Sequence, residues 1–150
     1  LQNVSVEEKA LGSKEGVITL EDDSSGIYNA GTTSDQLLLH TETTVEMSHI
    51  TVPAAMLTTN DVVKNAEHID LLKLDIEGAE SEVVQTLTEI LHKVECIILE
   101  YHFVKTISDN SFDKIVTQLS ESGFKVGVQG LYRTSTNMVN HRVFLIQGHR

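Results

Sequence analysis

This sequence is poor in the residues that staple small proteins together and in the charge that binds nucleic acid. It holds one cysteine, Cys96, one proline, Pro53, and no tryptophan among 150 residues. A single cysteine excludes an internal disulfide framework and fits a reducing, cytoplasmic compartment. Cys96 lies in an apolar run, so it is expected to be inert core. Against 22 Asp and Glu stand only 11 Lys and Arg, a formal net charge of −11. Phosphate binding needs a basic face, which excludes nucleic acid as the main partner. No apolar run approaches the ~20 residues of a membrane span and no signal-peptide pattern opens the chain, so no membrane partner is expected. The nine glycines are dispersed and none forms a Gly-x-Gly cluster after a strand. Gly-x-Ser-x-Gly, P-loop and kinase signatures are missing. The seven histidines have no zinc-like spacing with the one cysteine,.

What is present suits one domain. A chain of this length buries about two thirds of its unfolded surface, and its 40% hydrophobic and 22% charged residues are ordinary for a globular protein,. The most informative stretch runs from Ile69 to Glu80. Ile69 to Leu74 is a short apolar run, as expected of a parallel strand buried on both faces. It stops at Asp75, with Glu77, Gly78 and Glu80 following at once. A helix to about Lys93 is then predicted by Val83, Val84, Leu87, Ile90 and Leu91 on one face. Carboxylates thus gather where a strand hands over to a helix, the place where open α/β sheets bind ligands.

Around that centre the chain reads as follows. Asn3–Leu11 and Val17–Leu20 are expected as strands of an amino-terminal hairpin, turning at Gly12–Gly16. Glu21–Gly31 is a polar loop, and Leu37–Leu39 carries no clear assignment. Thr43–Val52 is rich in β-formers and should end at Pro53. Thr58 or Thr59 can cap a short helix with Val62 and Val63 inward. Val94–Tyr101 is the next buried strand. Ser111 opens a helix with Phe112, Ile115, Val116 and Leu119 inward, closed by Gly123. Phe124–Val128 and Arg142–Gln147 are strands joined by a polar loop, and with no helix between them they should pair antiparallel.

The run Ile-Asp-Leu-Leu-Lys-Leu-Asp-Ile-Glu-Gly-Ala-Glu, an apolar helix and then Ile97-Ile98-Leu99-Glu100-Tyr101-His102 together resemble the FkbM-type methyltransferases. The resemblance covers roughly residues 4–147 and is carried mostly by Ile69–Glu80. At Thr58 the chain departs from the acidic residue that family members usually have. The resemblance implies an α/β fold: a partial class I methyltransferase, Rossmann-like sheet, mostly parallel with an antiparallel last strand, preceded by the amino-terminal hairpin strands. It implies S-adenosylmethionine as cofactor, with Ala10 and Leu11 near the adenine and Asp75 beside the transferred methyl group. The glycine-rich turn and the ribose-binding acidic residue of the family's first two strands have no match here. The expectation is therefore a single domain, 1–150, that is the carboxyl-terminal part of a longer methyltransferase domain. The Ile69–Leu74 strand would then show an edge that invites pairing, including self-association.

Methyl transfer needs acceptor and methyl donor aligned, a proximity effect worth up to ~7–11 kcal/mol, and a carboxylate or imidazole to hold or deprotonate the acceptor. Asp75, Glu77 and His102 are the candidate catalytic residues, and Glu100, Tyr132 and Arg133 the candidate contacts to a small-molecule acceptor. Glu80 and Glu82 read more simply as solvated first-turn acids that complement the helix dipole, at ~0.3–1 kcal/mol each. Lys73 inside an apolar strand needs a partner, with Asp75 two residues on. Asp75, Glu77 and Glu100 could converge as oxygen ligands, but the family has no metal motif and no metal is expected. The leading function is O-methylation of a sugar or small hydroxylated metabolite. The alternatives are a non-catalytic interaction module and a metal-dependent enzyme using the carboxylates.

Overall fold

The computed structural model describes residues 3–22, 28–29, 48–76, 78–102, 112–132 and 142–150. Its amino-terminal strands are β1 (Ala10–Leu11), β2 (Gly16–Asp22), β3 (Tyr28–Asn29) and β4 (Ser48–Ala55), in the order β1-β4-β2-β3. The expected hairpin between the first two strands does not form. The turn at Gly12–Gly16 does connect β1 to β2, but β4 lies between them, parallel to β1 and antiparallel to β2. β4 also runs through Pro53 to Ala55 instead of stopping there. The two-residue β1 reaches only Ala54 and Ala55, so beside Pro53 one side of β4 has no ladder that a missing N–H would break.

A 3₁₀ turn at Leu57–Thr59 leads into α1 (Asp61–Asn65). Its cap is Asn60, not Thr58 or Thr59: Asn60 Oδ1 accepts the N–H of Val62 at 2.9 Å and of Val63 at 3.1 Å,. Val63 packs against the core, whereas Val62 faces outward at 69% exposure.

The second sheet joins β5 (Ile69–Leu74), β6 (Val94–His102), β7 (Lys125–Tyr132) and β8 (Arg142–His149) in the order β5-β6-β8-β7. β5 and β6 are parallel, and β8 is antiparallel to both β6 and β7. The last strand is therefore antiparallel, as expected, and it is inserted between β6 and β7. β7 extends to Tyr132, taking in residues expected in the loop, because Gln129–Tyr132 continue the pairing with β8. The carboxyl ends of β5, β6 and β7 all lie at one edge of this sheet.

Between β5 and β6, α2 (Glu80–Thr86) and α3 (Thr88–Leu91) form the expected helical stretch, broken at Leu87. Val83, Val84, Leu87, Ile90 and Leu91 are all buried. α4 (Phe112–Glu121) buries Ile115 and Leu119, and Gly123 beyond it has the left-handed φ of +90° that favours glycine,. These faces meet Leu74, Val94, Ile97, Leu99, Tyr101 and Ile146 in one core. The period of two in β6 puts Ile97, Leu99 and Tyr101 toward the helices and leaves Cys96, Ile98, Glu100 and His102 on the other, half-open face,. Burial on both faces is thus not observed for β5: among the described residues it is an edge strand, and Leu71 is 53% exposed. Cys96 is likewise only half-buried. No helix among the described residues is long and apolar enough to cross a membrane.

Gly148 sits where β8 crosses this core. A Cβ there would meet Ile97 Cγ2 at 2.9 Å and Phe124 Cδ1 at 3.1 Å, whereas one at Gly127 on β7 would meet nothing within 4 Å. Gly148→Ala should therefore cost about 1–3 kcal/mol by overpacking. Gly127→Ala should leave stability the same or slightly higher, because alanine restricts the unfolded chain more. Urea unfolding of the two variants checks the contrast.

Candidate functional site

The two-residue period that builds the core also builds the site. Lys73 lies in β5 on the face away from Leu72 and Leu74, and Asp75 follows two residues later, just past the strand. In β6, Glu100 and His102 are likewise two apart, on the face away from Leu99 and Tyr101. Parallel pairing of Lys73 with Ile98 and of Leu74 with Leu99 brings these two pairs together at the carboxyl edge. One donor atom each from Asp75, Glu100 and His102 lies within 4.8 Å of the others. Lys73 Nζ donates to Asp75 Oδ2 at 3.0 Å and lies 3.9 Å from Glu100 Oε1. The hydrogen bond to Asp75 holds the Lys73 ammonium above its usual pKa,. Lys73 thus has the partner it was expected to need, although it is exposed and not buried. Three such donors could hold a divalent cation, but the Lys73 ammonium already supplies positive charge to both carboxylates.

Sequence reasoning missed Glu80. Expected as a solvated dipole residue, it is fully buried at the start of α2. Its Oε1 accepts the Gly78 N–H at 2.9 Å and lies 2.9 Å from His102 Nδ1, and its Oε2 has a long 3.5 Å contact from the His102 N–H. Gly78 allows this with a φ of +109°, which turns the chain back under the strand end. The Gly-x-Glu spacing was the available signal, since it is the reach of a side chain folding onto a backbone N–H two residues earlier. Glu82, two residues on in the same first turn, is exposed as expected and accepts from Ser13 Oγ at 3.0 Å, tying α2 to the β1–β2 turn. Glu77 and Arg133 lie outside the described residues. Tyr132 ends β7, its Cα paired with Arg142 one register step past the Val143 that pairs with His102, so its backbone lies at the site's edge of the sheet.

Ala10 and Leu11 stand apart from this cluster. They line a cavity of about 550 Å³ together with Glu7, Glu15, Met56 and Asn60, a size usual for small-molecule sites. Asp75 is not part of that lining. The carboxylates around it are held in place: Glu15 accepts from Thr59 Oγ1 and from the Met56 N–H, and Glu7 accepts from Asn60 Nδ2. The Thr59 hydrogen bond holds Glu15 below the usual carboxylate pKa.

Residues 4–126 match the family model described as the methyltransferase FkbM domain. No curated protein matches the chain. Among solved structures, precorrin-6y C5,15-methyltransferase from Geobacter metallireducens is similar at 14% identity and a TM-score of 0.40. The likeness covers 65% of this chain and 53% of that enzyme, so the chain spans about half of the enzyme's length.

Behind the cluster, Tyr101 is buried with its ring edge-on to Phe112 at 5.5 Å. Burial first, and the Glu80 charge second, push its phenol above the usual 10.0. A folded pKa raised above the unfolded one gives stability that is complete below pH 10 and lost as pH rises through the raised value. The melting temperature should therefore fall as pH rises above about 10. The Tyr101→Phe variant should lose part of that alkaline dependence, as measured by thermal melts across the range.

Proposed function

The chain belongs to the FkbM methyltransferase domain family, and on that premise we propose that it serves S-adenosylmethionine-dependent transfer of a methyl group to a hydroxyl of a sugar or small hydroxylated metabolite. The observation that carries this reading is the meeting of Asp75, Glu100 and His102 within 4.8 Å at the carboxyl ends of adjacent parallel strands, where α/β sheets bind their ligands. When bound, the cofactor supplies an electrophilic methyl group carried on sulfur. Ala10 and Leu11 would form the wall for its base. Asp75 and Glu100 accept hydrogen bonds from the acceptor's hydroxyls and orient it. His102 takes the proton of the reacting hydroxyl, leaving the oxygen free to attack. Tyr132 and Arg133 are the proposed further acceptor contacts, and the lone Cys96 suits a cytoplasmic setting.

The test uses the protein as its source cell makes it, with methyl-labelled S-adenosylmethionine and a panel of sugars and small polyols. Label should pass to an acceptor. His102→Ala should lower kcat by about 10²–10⁴ with cofactor affinity kept, and Asp75→Asn should lower kcat as well. If the cofactor neither stabilises the protein nor transfers label, the reading fails. Stabilisation by manganese alone would then move the function to a metal-dependent enzyme. Stable self-association without response to either would move it to an interaction module.

A further inference from the structure

We propose that Glu80 is a positioning residue that locks His102 in the tautomer carrying its proton on Nδ1, so that Nε2 is the nitrogen that accepts a proton. That this proton comes from a methyl acceptor rests on the reading above; the lock itself rests on Glu80's own contacts.

A carboxylate deprived of water must be met by hydrogen-bond donors or it is too costly to bury. Glu80 has no exposed surface, and its partners among the described residues are nitrogen: the Gly78 N–H and His102 Nδ1 on Oε1, and the His102 N–H on Oε2. An ionised carboxylate can only accept. With Glu80 ionised, His102 Nδ1 at 2.9 Å is the donor and carries the proton. In the neutral ring the lone pair is then on Nε2.

A helix-dipole role alone would not need this arrangement. Glu82 occupies the same first turn and stays in solvent. Glu80 is instead folded under the strand end by the positive φ of Gly78, and it links the exit of β5 to the last residue of β6. Second, a protonated ring would find negative charge on several sides. Glu80 faces it from α2, and Asp75 and Glu100 from the β5 and β6 ends, partly offset by Lys73. Tyr101, the neighbouring residue, is itself held neutral by burial and by the Glu80 charge. These are the titratable groups around His102 among the described residues. The imidazolium formed when the ring takes a proton is therefore stabilised where it forms, and Glu80 holds the ring's orientation throughout.

The experiment is long-range proton–nitrogen NMR of protein with ¹⁵N-labelled histidine, with no cofactor or acceptor added. The His102→Asn spectrum identifies the His102 signals among those of the seven histidines. In the wild type, the neutral ring should show an unprotonated Nε2 and a protonated Nδ1. In Glu80→Gln the titration midpoint should fall by about one pH unit or more, since an opposite charge at contact shifts a group by that order. A neutral wild-type ring protonated on Nε2 overturns the proposal. So does a folded Glu80→Gln protein with the wild-type tautomer and midpoint. If Glu80→Gln does not fold, the wild-type tautomer decides alone. Because no methyl transfer is read, a correct lock in a protein that methylates nothing would overturn only the proposed function.

Discussion

A buried carboxylate with no water must be given donors by the protein, and at Glu80 that requirement shapes the whole site. The donors come from the turn after β5 and from the last residue of β6. Gly78 has to turn with a positive φ to present its N–H. β6 has to end with the backbone and ring of His102 within reach. The same charge also acts on Tyr101 behind it. Without this junction the side chains beyond the β5–β6 ladder would be joined, among the described residues, by the outward Lys73, Asp75 and Glu100 pairs, which water screens.

Most of the carboxyl-terminal fold was legible, because there the hydrophobic period and the packing agree. Val83, Val84, Leu87, Ile90 and Leu91 read as one face and are one face. Ile115 and Leu119 did the same for α4, and Gly123 closed it. The amino-terminal sheet was less legible for a physical reason. Alternation marks Val17 and Ile18 as strand, but it does not say which strand they pair with, and the partner proved to be β4 from over thirty residues away. Pro53 misled because a proline rule depends on whether the neighbouring ladder reaches it, and β1 stops short. Leu71 misled because an apolar residue in a strand reads as buried even when its sheet face is not covered.

The site was half legible. Asp75, Glu100 and His102 could be placed at strand ends from apolar runs alone, and parallel register brings them together. Glu80 could not be told from Glu82 by residue type or by position in the helix. The difference lies in the turn at Gly78, two residues earlier, which only the Gly-x-Glu spacing hints at. Lys73 was legible as needing a partner but not as exposed, since its neighbours on the same face belong to the half-open side of the sheet.

The insertion of β8 between β6 and β7 has a consequence for how the chain acquires its shape. β7 has no contact with β6 in the ladder except through β8. During synthesis β5, the helices after it and β6 can assemble as they emerge, but β7 must wait for residues 142–149 before it joins the sheet. The pairing that completes the sheet spans β6 and β8, more than forty residues apart in register, and such non-local closure is slow. In the interval β6 keeps an open flank and β7 is an unpaired strand, both open to wrong partners. The side of the sheet that closes last is therefore the side where a nascent chain of this kind is most in need of a chaperone.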